Sequence, residues 1–172
     1  MNNQINAQSD SPNHDLGTKD NGLVFSKSYP LLLSLTFTGA IPFFFLTLLL
    51  HTKWLPQATL LACLFCYAAV ILTFLGGIQW GIGVVRLEDK TLHYPLVFAL
   101  SVLPSLASWL LLLLDYPTLQ LIGFILCFAM VFGVDVRLNL EKILPRWFLV
   151  IRFSMTLVVI TLLLLCYSAI KK

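Results

Sequence analysis

Five apolar stretches follow one another along this chain, and only short polar connections separate them. A helix that crosses the ~30 Å hydrocarbon core of a bilayer needs about 20 apolar residues, and each stretch approaches or exceeds that length. Charged residues make up 11% of the chain, whereas about a quarter of an ordinary soluble domain is charged. The sequence therefore predicts an all-α, polytopic integral membrane helical bundle with five transmembrane helices, at about residues 29–50, 58–85, 94–114, 118–134 and 147–170.

The chain before the first apolar stretch is polar and rich in Asn, Ser, Gln and Asp. Because it has almost nothing to bury, we expect residues 1–28 to form a disordered tail and residues 29–170 to form a single membrane domain. The tail has no Arg and contains Asp10, Asp15 and Asp20, which is unlike a mitochondrial transit peptide. These features favour a bacterial inner membrane over an organelle.

The basic residues are distributed unevenly between the two sides of the predicted bundle. Five spans place the termini on opposite sides, and eight of the 11 Lys and Arg residues then share a side with the amino terminus. Only Lys53, Lys171 and Lys172 fall on the other side. Because cytoplasmic loops carry the excess of Lys and Arg, we expect a cytoplasmic amino terminus and a periplasmic carboxyl terminus.

The end of the second span contains four glycines within eight residues, Gly76 to Gly83. Glycine costs roughly 1 kcal/mol relative to alanine inside a helix, so this density needs a packing or backbone reason. Gly77 and Gly81 are four residues apart and share one helical face, and this spacing lets a second membrane helix approach closely. We predict that this face is the centre of the bundle. The alternative is a helix broken at Gly76 and Gly77 that lines a site.

A polar cluster is predicted near the same end of the bundle. Arg152 lies about seven residues into span five, where a charge is costly unless it reaches the lipid phosphates or pairs with an acid. The candidate partners are Asp135, Glu88 and Asp89, with Gln79 close by. Snorkelling of Arg152 and an ion pair are both left open by the sequence.

Two prolines fall in the middle of predicted spans and should bend them. Pro42 frees a carbonyl one turn back, which Thr38 or a neighbouring helix can satisfy. Pro104 lies within span three. The residues of the candidate packing or functional cluster are Gly76, Gly77, Gln79, Trp80, Gly81, Pro104, Trp109, Asp135, Pro145, Trp147 and Arg152.

Three segments, Phe74–Gly81, Leu103–Trp109 and Leu144–Trp147, together with Asp135 and Arg152, resemble the DUF3429 family. The animal relatives in this family are called transmembrane protein 69. The resemblance covers about residues 29–170, and the Gly-Gly-x-x-Trp-Gly element is its most specific part. It implies a small polytopic membrane protein and brings no established activity with it.

Motifs that carry chemistry are weak in this sequence. Cys63 and Cys66 form a Cys-x-x-Cys pair inside an apolar span, where a thiolate would be desolvated, so we interpret them as small core residues. We find no catalytic constellation and no phosphate-binding loop, and the net charge of +3 is too small and scattered for nucleic acid. The prediction is therefore no catalytic, metal-binding or cofactor-binding residue, no cofactor and no nucleic-acid partner.

Two classes of function fit these observations. The first is a non-enzymatic multi-pass inner-membrane protein that acts in the lipid bilayer by helix packing, with a membrane protein partner, a larger complex or a second copy of itself. The alternative is a small-solute transporter or ligand-binding bundle with a polar cavity on the cytoplasmic side. Transporters commonly carry ionisable groups at mid-membrane depth, and spans one to four have none there, which favours the first class.

Overall fold

A computed structural model describes residues 30–52, 54–85 and 94–170, and these are helical or connecting residues with no strand. The predicted tail at residues 1–28 lies outside the described residues. Glu88 and Asp89, the alternative partners of Arg152, also lie outside them. The chain divides into two units between Thr36 and Phe37.

The described residues of the first unit, 30–36, are helical. Their hydroxyl groups bond to their own backbone, as is usual for Ser and Thr inside an apolar helix. Ser34 Oγ donates to the Leu31 carbonyl at 2.9 Å, and Thr36 Oγ1 donates to the Leu32 carbonyl at 2.7 Å. These bonds satisfy polar groups locally, which a helix in lipid requires.

The described residues of the second unit form helices α1 (Ile41–Thr52), α2 (Gln57–Val85), α3 (Tyr94–Leu112), α4 (Pro117–Leu140) and α5 (Arg146–Ile170). Four helical stretches are long and apolar enough to cross a membrane, namely Pro30–Thr52, α2, α4 and α5. The apolar part of α3, Leu96–Leu112, is shorter. The structure therefore supports an all-helical membrane bundle, with the predicted third span shorter than the others.

Helices α2 and α4 lie at the centre of the second unit. Helix α2 contacts α1, α3 and α4. Helix α4 also contacts α3 and α5, and α1 packs against α5. Large side chains from these helices fill the interior, including Phe43, Phe65 and Phe124, which are fully buried. The rings of Phe65 and Phe124 stack with centroids 5.5 Å apart, which joins α2 to α4.

Helix α1 begins just after a turn at residues 39–40, one residue before Pro42. Proline has no N–H to donate and disrupts the preceding helical turn, as the sequence predicts. Tyr67 Oη of α2 donates to the Gly39 carbonyl at 2.9 Å, three residues before Pro42. A neighbouring helix thus satisfies a backbone carbonyl at the break, next to the carbonyl of Thr38, to which Pro42 has no N–H to donate.

Helix α2 is continuous over its 29 residues, including Gly76 and Gly77. The alternative of a helix broken at these glycines is therefore wrong. At 1.5 Å per residue, α2 is about 43 Å long and exceeds the hydrocarbon thickness of a bilayer. It must tilt or extend beyond the lipid.

Helix α4 continues to Leu140, six residues beyond the predicted end of span four at Val134. Asp135 consequently lies inside the helix and not in a loop. The helix ends in a Schellman motif in which Lys142, with φ of 59°, takes the left-handed position usually held by glycine. The helix can continue past Asp135 because Arg152 of a later helix supplies its counter-charge.

Candidate functional site

Three polar side chains from three helices meet in a buried cluster, which we call the polar triad. They are Gln79 of α2, Asp135 of α4 and Arg152 of α5, and their exposed fractions are 1%, 2% and 9%. Arg152 Nε donates to Asp135 Oδ2 at 2.7 Å, and Gln79 Nε2 donates to Asp135 Oδ1 at 3.0 Å. Of the predicted alternatives for Arg152, the structure contains the ion pair with Asp135, next to Gln79.

The triad satisfies a carboxylate that would otherwise be very unfavourable in lipid. A buried ion pair is tolerated when its geometry is good and further hydrogen bonds satisfy the remaining polar atoms. Each oxygen of Asp135 receives one donor, from Arg152 on one side and Gln79 on the other. The triad therefore links α2, α4 and α5 through a single carboxylate.

All three members of the triad lie at a similar depth. Gln79 is six residues before the end of α2, Asp135 is five residues before the end of α4, and Arg152 is six residues after the start of α5. At 1.5 Å per residue, each side chain originates about 8–9 Å along its helix from that helix end. The triad thus lies within the bundle but close to one end of it.

Two glycines of α2 allow α3 to approach closely, and we call Gly76 and Gly83 the inward glycine face. A Cβ atom placed on Gly76 would collide with the backbone carbonyl oxygen of Ser101 in α3. A Cβ on Gly83 would lie 3.0 Å from Cε1 of Phe98. Because glycine has no side chain, the two helix backbones can pack together here, as small residues allow in membrane proteins.

The predicted packing face is one residue away from the observed one. Gly77 and Gly81 are exposed, and beyond the adjacent residues and the local backbone of α2, no atom of the described chain lies within 4 Å of a Cβ placed on either. We call these two residues the outward glycine face. The prediction that Gly77 and Gly81 pack the described helices of this chain together is therefore wrong. Helix α2 turns the inward glycine face toward α3, and this face begins one residue earlier, about 100° around the helix.

Pro104 is the second predicted residue at the contact between α2 and α3. It is buried inside α3, and its Cγ lies 3.8 Å from a Cβ placed on Gly76. Ser108 is also buried and donates its hydroxyl proton to the Pro104 carbonyl. The predicted proline thus contributes apolar surface to the glycine contact.

The structure also describes the four remaining predicted residues. Trp80 is half-exposed beside the outward glycine face, with its ring centroid 4.7 Å from that of Phe98. Trp109 is exposed on α3, and Pro145 is exposed just before α5. The ring of Trp147 lies 5.9 Å from that of Phe148 at the start of α5.

Sequence reasoning did not single out Ser101, which the structure places against Gly76. Ser101 is 3% exposed, and its hydroxyl donates to the Phe98 carbonyl at 2.8 Å. The sequence does contain a signal for this contact. Ser101, Pro104 and Ser108 follow the i, i+3, i+7 spacing of residues that share one side of a helix. Such small residues on one face indicate a close helix contact.

The cysteines form two groups with different surroundings. Cys63 and Cys66 are exposed on α2, so their interpretation as core residues is wrong. Cys127 and Cys166 are buried, and Cys166 Sγ lies 3.2 Å from Thr47 Oγ1. Among the residues that the structure describes, no group of three or more His, Cys, Asp or Glu side chains could hold a metal ion.

Apolar helices of membrane-spanning length, joined by a buried polar triad, define this chain as a helical membrane protein. The model of the family described as "Protein of unknown function (DUF3429)" matches residues 29–168, and the chain belongs to this family. No curated protein and no solved structure matches the chain. The family description assigns no activity.

Proposed function

We propose that this protein is a non-enzymatic membrane protein that associates with another membrane-spanning helix through the outward glycine face. The observation that carries the proposal is the open space over Gly77 and Gly81, where no other helix of the described chain places an atom within 4 Å of an added Cβ. Each glycine destabilises the interior of a helix by about 1 kcal/mol relative to alanine. Contacts within the described chain do not offset this cost at either position.

The surroundings of the outward glycine face suit a second helix. At 100° per residue, Phe74 and Trp80 stand on opposite sides of Gly77, and both are exposed. The two glycines therefore form the floor of a shallow groove with an aromatic side chain on each wall. Packing in lipid depends on such close approach, since lipid tails are as apolar as the helices and hydrophobicity alone gives no driving force.

The polar triad makes the transport alternative the weaker proposal. A solute-binding cavity needs polar groups that face open space. Gln79, Asp135 and Arg152 are each less than one-tenth exposed, and they bond to one another. Their arrangement favours a role in holding helices together over a role in binding a passing solute.

The proposal is tested by filling the groove. The double variant Gly77→Ile/Gly81→Ile fills it, and Gly133→Ile is the matched control, because Gly133 of α4 is also exposed with no atom within 4 Å of an added Cβ. After mild detergent extraction and native mass spectrometry, we expect the parent and the Gly133 variant to retain an associated membrane protein or a second copy. We expect the double variant to lose it. Retention by the double variant, or a parent that is always alone, contradicts the proposal.

We also propose that α3 is the third of five crossings in a bacterial inner membrane, with the amino terminus in the cytoplasm and the carboxyl terminus in the periplasm. The 19 residues of Tyr94–Leu112 reach about 28 Å, close to the ~30 Å needed. The excess of Lys and Arg on the amino-terminal side supports this orientation. Accessibility labelling of a cysteine added at either terminus tests it, and equal labelling of both from one side contradicts it.

The Gly-Gly-x-x-Trp-Gly element supports a closer relationship, which we propose, to the animal transmembrane protein 69. Its two outer glycines are Gly76 and Gly81, which belong to the inward and outward glycine faces respectively. If the relationship holds, the same pair of faces should be present in those proteins. A structure in which the corresponding helix buries both faces within its own chain would argue against it.

A further inference from the structure

The amide of Gln79 is held in one orientation by the triad. Its nitrogen Nε2 donates to the Val131 carbonyl and to Asp135 Oδ1, both at 3.0 Å, which uses both of its hydrogen atoms. Rotating the amide by 180° would place Oε1 against these two acceptors. The hydrogen-bond network therefore fixes which amide atom faces away from Asp135.

The oxygen atom of the same amide has no hydrogen-bond donor among the described residues. Gln79 Oε1 is buried, and no donor from the described part of the chain reaches it. Buried polar atoms in native proteins nearly always have a hydrogen-bond partner, because an unmet acceptor retains the full penalty of losing its water. An orphaned acceptor beside a buried ion pair therefore indicates that a donor belongs at this position.

The charges of the triad restrict the kind of donor. The Arg152 guanidinium lies 2.7 Å from the Asp135 carboxylate, so the pair is neutral overall. A cationic donor at Oε1 would leave an uncompensated positive charge within the apolar bundle, which is costly. The donor is therefore neutral. Water is the smallest neutral donor, and buried waters bond to polar groups that the protein leaves otherwise unsatisfied.

We infer that Gln79 Oε1 is the acceptor of an internal water site that completes the polar triad. The position suits water, because the triad originates only about 8–9 Å along each helix from the end of the bundle. The bound water donates one hydrogen bond to Oε1. A buried water usually makes about three hydrogen bonds, so this one also bonds to other polar atoms beside the triad.

The first test asks whether Oε1 is hydrogen-bonded. Glutamine labelled with ¹³C at the side-chain carbonyl is incorporated, and the infrared band of Gln79 is obtained as the difference between the parent and Gln79→Met in lipid bilayers. We expect the band at the lower frequency typical of a hydrogen-bonded amide carbonyl. A band at the frequency of an unbonded carbonyl overturns the proposal. Gln120→Met is the matched control, because Gln120 is also buried but donates to the Leu111 carbonyl outside the triad.

A second variant keeps the test valid if Gln79→Met does not fold. Replacing the other glutamines, Gln4, Gln8, Gln57 and Gln120, with Met leaves the label on Gln79 alone and does not change the triad.

The second test identifies the donor. In perdeuterated protein and lipid, magnetisation transfer from water to the side-chain amide protons of Gln79 is measured by solid-state NMR. We expect transfer to these protons despite their burial. A hydrogen-bonded carbonyl without water transfer overturns the water site and assigns the donor to a lipid hydroxyl or to another part of the chain.

Discussion

The inward and outward glycine faces of α2 begin one residue apart and have opposite surroundings. At Gly76 the backbone of α3 approaches so closely that any side chain would collide with it, whereas the space over Gly77 is open within the described chain. Glycine in a membrane helix thus indicates that something approaches, but it does not indicate what approaches. The fold itself explains the inward glycines, and the proposed partner would account for the outward ones.

Gln79, the member of the polar triad on α2, lies on the same side of the helix as the inward glycine face. Gly76, Gln79 and Gly83 follow the i, i+3, i+7 spacing of one helical face. Close packing and buried hydrogen bonding are therefore concentrated on the same side of α2. It follows that changes on the inward face should alter the free energy of unfolding, whereas changes on the outward face should alter association.

The largest effect is expected from Arg152→Ala. This change leaves the Asp135 carboxylate buried without its counter-charge, and breaking a buried pair in this way costs about 3–5 kcal/mol. The free energy of unfolding in bicelles measures the loss. Arg137→Ala is the matched control, because its ion pair with Glu141, at 3.4 Å, is exposed and should contribute little. Equal losses in the two variants would show that the triad does not hold the inward side together.

A smaller effect is expected from Gln79→Met, which keeps the volume of the side chain but removes two hydrogen bonds between α2 and α4. Interhelical hydrogen bonds in membranes average about 0.6 kcal/mol, so we expect a loss of about 1–2 kcal/mol. The same unfolding measurement applies. A loss larger than that of Arg152→Ala would mean that the amide, and not the ion pair, is the main polar contact of the inward face.

The smallest effect is expected from Gly83→Ala. Its new methyl group would meet the edge of the Phe98 ring at 3.0 Å, and a ring can shift where a backbone cannot. The gain in helix propensity, up to about 1 kcal/mol, offsets part of the strain, so the net change should stay within about 1 kcal/mol. Thermal unfolding of the variant beside the parent checks this. A large loss of stability would mean that Phe98 cannot shift, and that the contact at Gly83 is as rigid as the one at Gly76.

Much of the fold follows from the sequence, because the apolar stretches mark the helices and the polar connections separate them. The polar triad was also within reach, since an Arg and an Asp placed near the same end of a bundle each need a counter-charge. What the sequence did not show is that Asp135 lies inside α4. A carboxylate can remain within a helix when another helix supplies its partner, and only the tertiary structure shows that Arg152 does so.

The orientation of the glycines could not be predicted for a different reason. A surface helix of a soluble protein reveals its buried side through an amphipathic pattern, but α2 is apolar around almost its whole circumference. The spacing of Gly77 and Gly81 was therefore as good a candidate for the internal contact as that of Gly76 and Gly83. The clue to the inward side was Gln79, since a buried amide needs partners from neighbouring helices.

The most direct test of the division of α2 into two glycine faces compares the free energies of unfolding of Gly76→Ala and Gly77→Ala. Both are measured in bicelles at a protein concentration low enough to keep the protein monomeric. Gly76→Ala should lower it by about 1–3 kcal/mol, because the methyl group is forced against the Ser101 carbonyl. Gly77→Ala should leave it unchanged or raise it by up to about 1 kcal/mol, because the methyl group enters open space and alanine favours the helix. If both substitutions lower stability equally, or if Gly76→Ala has no effect, the division of α2 into an inward and an outward glycine face is contradicted.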